Sequence, residues 1–272
     1  MKKRLVKAAS FLFPKQISNF AYRKLTHPQK RNLKQNEVME METADKEWFK
    51  FKTFDIQMYR WNAGPKTILL VHGWEGQAGN FSKIIERLLA ENFSILAFDG
   101  PSHGNSKGNG ATSLFEFAEL VGVLVEKFKI KYIVSHSFGG VATTYSLSEK
   151  PQLKIEKYLL LTTPNKFLDR IDVVANQIGI SKKVKHTLLQ RLEKELDIDL
   201  FTISVAALCN KTGVKNALIL HDLHDKVLSI EESRAVNDHW PICELEAIQG
   251  TGHFKILQSE KVLTRMVKFF QD

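Results

Sequence analysis

Ser135-His136-Ser137-Phe138-Gly139-Gly140 follows the apolar run Lys131-Tyr132-Ile133-Val134, and a helical pattern follows it. Strand, abrupt turn, serine, helix is the layout of a nucleophile elbow. The turn lifts the Ser137 hydroxyl out of the backbone, at the N-terminus of a helix whose dipole favours developing negative charge. The usual pattern is G-x-S-x-G, and here its first position is Ser135. A serine hydroxyl is a poor nucleophile until a base takes its proton. Downstream, the run Asn216 to His221 reads as a buried strand, with Asp225 four residues past its end. The run Cys243 to Ile248 reads as another and leads into Gly250-Thr251-Gly252-His253-Phe254, a glycine-flanked loop that presents His253. His253 is the expected base. Asp225 is the expected carboxylate, fixing the imidazole tautomer and stabilising the imidazolium. Asp222 is its nearest rival.

Such chemistry also needs donors for an oxyanion. The strand Thr67 to Val71 is followed by His72-Gly73-Trp74. Gly73 lets the chain turn so that the Trp74 N–H can point at a bound carbonyl oxygen, and the second donor is the N–H of Phe138. His72 is expected to brace the turn rather than to react. Gly73, Gly76 and Gly79 follow a strand, with Asp99 further on, but their spacing is G-x-x-G-x-x-G. A dinucleotide loop needs G-x-G-x-x-G.

Val71-His72-Gly73-Trp74, Asp99-Gly100-Pro101-Ser102-His103-Gly104-Asn105-Ser106, Ser135 to Gly140, His221 to Val227 and Gly250 to His253 together resemble the serine-type α/β-hydrolases of the broad esterase/lipase family. The order Ser137, Asp225, His253 is the order of that family. The resemblance spans about residues 67–272. It implies a carboxylesterase-like serine hydrolase that cleaves an ester or related acyl substrate through an acyl-enzyme, with acyl transfer, thioester cleavage and C–C bond hydrolysis as variants on the same residues. A non-catalytic binding protein on the same fold is the alternative of a different class. The Asp99 to Ser106 stretch is similar to the family's D-x-x-x-H-G-x-S loop, which is structural, so Asp99 and His103 are assigned no chemistry. Ser137, a hydroxyl rather than a carboxylate, argues against the haloalkane dehalogenase and epoxide hydrolase branches.

The elements that must position these residues are legible as alternation. Candidate strands fall at 48–52, 56–61, 67–71, 94–98, 131–135, 157–162, 216–221 and 243–248. From the third onward they are separated mainly by helical patterns such as 114–128. The expected architecture is α/β: a mostly parallel eight-stranded sheet flanked by helices, with ligands beyond the carboxyl ends of the strands. Between strands six and seven, about 164–215, apolar positions recur with helical spacing (Phe167, Leu168, Ile171, Val174, then Val184, Leu188, Leu192, Leu196), which predicts a helical cap over the site. The body is expected over 47–272 and a basic helical arm over 1–46.

The chain has 272 residues, enough to bury a full core. Its two cysteines, Cys209 and Cys243, make a disulfide framework or a zinc site unexpected and suit a cytoplasmic protein. No cofactor or metal is expected. Lys7 interrupts the first apolar stretch and no small-residue cleavage site follows, so a signal peptide is not expected. The net charge of +9 is an N-terminal property, because residues 1–36 contain ten Lys/Arg and no acid. That arm also carries Leu5, Val6, Phe11, Leu12, Phe13, Ile17, Phe20 and Tyr22. It is expected to dock its apolar side on the body, with peripheral membrane contact the less favoured alternative. The expected partner is a small-molecule acyl substrate, and no nucleic acid.

Overall fold

The computed structural model describes residues 2–196 and 198–272. The side chains of Leu5 and Leu196, counted above among apolar positions, lie outside the described residues. Eight strands form one sheet: β1 (Asp45–Phe51), β2 (Phe54–Trp61), β3 (Thr67–Val71), β4 (Ser94–Phe98), β5 (Tyr132–His136), β6 (Ile155–Leu161), β7 (Val214–Asp222) and β8 (Cys243–Ile248). Their spatial order is β1-β2-β4-β3-β5-β6-β7-β8. Only β1–β2 and β2–β4 are antiparallel; β4-β3-β5-β6-β7-β8 is a continuous parallel sheet. β1 begins three residues before the apolar pattern does, because its ladder with β2 runs from Asp45 opposite Arg60.

Of the parallel strands, β3 to β7 are largely buried on both faces, as their apolar runs require, while the edge strand β8 carries Glu244 and Glu246 and is half-exposed. Period-two alternation sorts them. Leu69, Val71, Leu96, Phe98, Ile133, Leu160 and Ile219 face one core, while Ile68, Leu70, Ile95, Ala97, Val134, Leu159 and Leu218 face the other. The first core is closed by α5 (Leu114–Lys127) and α6 (Phe138–Glu149), the second by α4 (Ser82–Ala90) and α12 (Glu260–Gln271). On α12, Val262, Leu263, Met266, Val267 and Phe270 form one buried stripe at helical spacing. Ser113 opens α5 with a capping box closed by Glu116.

After β6 the chain leaves the sheet for α7 (Phe167–Ile178) and α8 (Lys182–Leu196), then returns through a 3-10 turn at Leu200–Thr202 and the short α9 (Val205–Leu208). The N-terminal segment forms α1 (Lys2–Leu12), α2 (Pro14–Thr26) and α3 (Gln35–Glu42). Ala21 and Leu25 of α2 are buried in the first core. The Arg191 guanidinium of α8 lies 3.9 Å from the Tyr22 ring centroid. Among the described residues no helix is long and apolar enough to cross a membrane.

Helix α6 packs closely on the end of β3. A Cβ on Gly139 would stand 2.5 Å from both the Val71 and the His72 carbonyl oxygens, which are backbone atoms and cannot rotate away. Gly139→Ala therefore forces α6 off the sheet. It should destabilise the fold by about 1–3 kcal/mol, a drop in Tm of roughly 2–10 °C, measurable by calorimetry. An unchanged Tm would contradict this packing.

Candidate active site

Ser137 sits between β5 and α6 with φ 52° and ψ −126°, a backbone conformation that non-glycine residues rarely adopt. Strain of this kind costs on the order of 1–3 kcal/mol and persists only where its surroundings over-determine it. Here the Ser137 N–H donates to the Leu161 carbonyl at 2.9 Å, pinning the turn to the end of β6. The departure from glycine at position 135 also has a local reason. The fully buried Ser135 hydroxyl lies 2.9 Å from the Tyr158 hydroxyl, which donates to the Gly140 carbonyl at 3.2 Å.

The structure brings Ser137, His253 and Asp225 together from three separate loops. His253 Nε2 lies 3.0 Å from Ser137 Oγ, and His253 Nδ1 lies 2.8 Å from Asp225 Oδ2. A carboxylate only accepts, so Nδ1 carries the proton and Nε2 is left as the acceptor for the serine hydroxyl. The Asp225 side chain is fully buried and that of His253 nearly so. The other Asp225 oxygen accepts from the N–H groups of Val227 and Leu228 at 2.7 and 3.0 Å. Burial pushes its carboxyl up, but the hydrogen bond and electrostatic attraction from His253 and the two backbone donors outweigh that and hold it below the usual range.

The rival carboxylate does something else. Asp222 accepts from the N–H and hydroxyl of Thr251 at 2.6 and 2.9 Å and from the His224 N–H at 2.8 Å. It fastens the His253 loop to the end of β7 without touching the imidazole. Burial raises its carboxyl, yet these bonds outweigh burial and leave it at about 2.

Two buried histidines that sequence reasoning passed over complete the support. His136 Nε2 donates to the His253 carbonyl at 2.9 Å, and the two rings stand 5.1 Å apart. Burial above all, and the neighbouring His253, hold the His136 imidazole down at about 3, so it stays neutral. His221 Nε2 donates to the Leu228 carbonyl at 3.2 Å, bracing the Asp225 loop from behind. Strand parity was the available signal: each ends or nearly ends a strand next to a loop already singled out.

His72 braces its turn as expected. Its Nδ1 donates to the Gly73 carbonyl at 2.7 Å and its Nε2 accepts from the Gly100 N–H at 2.8 Å. Complete burial holds it down at about 4. Asp99 accepts from Ala78, Asn105 and the Tyr59 hydroxyl, tying three loops and strands together. Gly73 lies against the elbow: a Cβ there would be 3.2 Å from Ser137 Cβ and from the His136 carbonyl. Trp74 therefore follows a residue in contact with the Ser137 turn, and Phe138 opens α6 beside it, their rings edge to face at 5.4 Å.

These groups face a cleft of about 670 Å³. Near Ser137 its walls are apolar, including Phe138, Val141, Phe167, Val174, Val227 and Phe254, with Phe167 and Val174 supplied by α7. Lys24, Arg31 and Lys34 stand on its rim. The N-terminal segment thus walls the cleft, which the sequence did not reveal. The Arg31 guanidinium pairs with Glu75 at 2.8 Å and the Arg31 carbonyl accepts from Gln77. Among the described residues no cluster of His, Cys, Asp and Glu is arranged to hold a metal ion.

Residues 68–186 match the model of the alpha/beta hydrolase family. The chain is 28% identical over 215 residues to the uncharacterized hydrolase YugF of Bacillus subtilis (strain 168), covering 77% of this chain and 65% of that protein. It is 30% identical over 98 residues to the (R)-3-hydroxydecanoyl-ACP:CoA transacylase of Ectopseudomonas oleovorans, covering 35% of this chain and 33% of that enzyme. The chain thus spans less than two thirds of the length of these curated relatives. Among solved structures, the serine hydrolase CCSP0084 from Cycloclasticus zankles superposes with a TM-score of 0.63 at 18% identity, covering 84% of this chain and 98% of that one.

The low value at Asp222 has a pH signature. Its carboxyl is depressed from 3.8 to about 2 on folding, so the stabilisation is present above pH 3.8 and is lost as pH falls through about 2. Asp222→Asn should cost about 2 kcal/mol at pH 7 by urea unfolding, and the gap to the unaltered protein should narrow as pH drops from about 4 towards 2. A gap that stays constant with pH would overturn this assignment.

Proposed function

We propose, from the premise that the chain is an α/β-hydrolase by fold and by its match over residues 68–186, that it is a serine hydrolase of an ester or related acyl substrate. The observation that carries the reading is the relay Asp225–His253–Ser137, with contacts of 2.8 and 3.0 Å, and a cleft lined by Ser137 and His253 together with Phe138, Val141 and Phe167. In this reading Ser137 Oγ attacks the acyl carbonyl carbon while His253 Nε2 takes its proton, and the electron pair of the C=O bond moves to oxygen. The Trp74 and Phe138 N–H groups receive that oxyanion. Asp225 keeps the proton on Nδ1 and stabilises the imidazolium. His253 then protonates the leaving oxygen or sulfur, the bond to it breaks, and an acyl-Ser137 ester remains. Water, activated by the same imidazole, releases the acid and restores the serine. His136, neutral beside the base, adds no charge that would oppose imidazolium formation.

A second reading keeps the same acyl-enzyme and replaces water by a thiol or alcohol. The transacylase of Ectopseudomonas oleovorans is the observation in its favour. The two differ only in what resolves the acyl-enzyme.

Turnover of p-nitrophenyl esters of graded chain length, beside acyl-CoA thioesters, tests both. Ser137→Ala should lower kcat by several decades, on the order of 10³-fold or more, with an unchanged melting temperature, and His253→Ala by a similar factor. Asp225→Asn should cost on the order of 10⁴-fold, because His253 loses the partner that sets its tautomer. The Ser137 and His253 losses should not add. Ser137 should take a fluorophosphonate label that Ser137→Ala abolishes. Near-normal turnover by Ser137→Ala, with contaminating esterase excluded, would sink the mechanism, and an unlabelled Ser137 would favour a binding protein.

A further inference from the structure

Helix α2 has two apolar faces, and the body covers one of them. Ser18, Ala21 and Leu25 point inward and are buried. Phe20 and the half-buried Ile17, three residues apart, share another side of the helix, and Phe13 stands at its N-cap. At the α1–α2 corner Phe11, Leu12 and Phe13 are 72%, 74% and 55% exposed, and Phe20 is 44% exposed. Four large apolar side chains within ten residues form a patch that packing does not need, because α2 is already held by its inner face and by Arg191 against Tyr22.

Charge selects the occupant. Exposed Lys7 stands one turn before Phe11, exposed Lys15 two residues after Phe13, and Arg23 and Lys24 one turn after Phe20. Residues 1–36 hold ten Lys/Arg and no acid. A second copy of the chain docking face to face would bring two such cationic segments together, which opposes it. Duplex nucleic acid would neutralise the lysines but give the phenyl rings and Leu12 no apolar partner. A surface with acyl chains beneath anionic headgroups satisfies both sets. We propose that the α1–α2 corner is an interfacial docking surface for anionic lipid bilayers. Phe11, Leu12, Phe13 and Phe20 enter the acyl boundary and the surrounding cations meet headgroup phosphates. Docking and structural packing are then not alternatives for this segment: the inner face of α2 does one and its outer face the other. Lys24 also stands on the cleft rim, so the docked bilayer lies beside the cleft mouth.

The test is co-sedimentation with lipid vesicles and does not depend on any enzymatic activity. The unaltered protein should bind phosphatidylcholine vesicles containing about 30% phosphatidylglycerol, and bind pure phosphatidylcholine far more weakly. Raising salt from about 0.1 M to about 0.5 M should weaken the binding several-fold. Replacing Phe11, Leu12 and Phe13 together by serine should reduce it by on the order of tenfold per side chain, with the melting temperature unchanged because all three are exposed. Lys7→Glu with Lys15→Glu should abolish the preference for anionic lipid. Absence of vesicle binding by the unaltered protein, or equal binding by the serine variant, would overturn the proposal. So would a dimer by light scattering that the serine substitutions dissolve, or binding of duplex DNA in place of vesicles.

Discussion

The near-contact of α6 with the end of β3 is the constraint on which the rest of the molecule depends. Gly139 has no Cβ, so the helix can lie against the Val71 and His72 carbonyls. Only at that distance can the turn at Ser137 be tight enough to hold φ at 52° and to receive Gly73 against its side. Each consequence is geometric. The Ser137 turn and the loop after β3 share one wall. The stability gained by a two-faced core is what holds this strained residue in place, since a turn of this kind in an isolated peptide would relax.

Around the hydroxyl, the protein uses neutral imidazoles as rigid hydrogen-bonding spacers. His72, His136 and His221 are each buried, each donate to a backbone carbonyl, and each have their proton affinity lowered chiefly by desolvation. A charged lysine in any of these places would need a counter-ion and would distort the field felt by His253. A neutral ring holds the loop without a counter-ion, and the Asp225 carboxylate makes its close contact, 2.8 Å, with His253, while His221 Nε2 stays 3.7 Å away. Asp222 contributes by restraint alone: it fastens Thr251 and thereby limits where His253 can go.

Much of this was legible in the sequence because it is local. Eight alternating or apolar runs became eight strands, and for β3 to β7 burial on both faces leaves little choice of residue. The three chemistry-bearing side chains could be read because each stands just past such a run. What could not be read depends on residues far apart in the chain. The Tyr59 hydroxyl on Asp99, the His136 ring under the His253 carbonyl, and Arg31 against Glu75 join positions 40, 117 and 44 residues apart. No periodicity reports such pairs. The N-terminal segment was harder still. Its composition announced a helix with an apolar side, but not that one apolar face packs on the body while another stays in solvent, nor that residues 24–37 reach the cleft.

The Ser135–Tyr158 contact makes the order of substitution matter. Tyr158 donates to the Gly140 carbonyl, and Ser135 donates to Tyr158. Replacing Ser135 by glycine first removes one hydroxyl and leaves Tyr158 with its own acceptor. Replacing Tyr158 by phenylalanine first strands the serine hydroxyl in the core, at about 1–3 kcal/mol. A lineage drifting towards the commoner elbow therefore has an open path through position 135 and a barred one through position 158. The same two changes are neutral or damaging according to which arrives first.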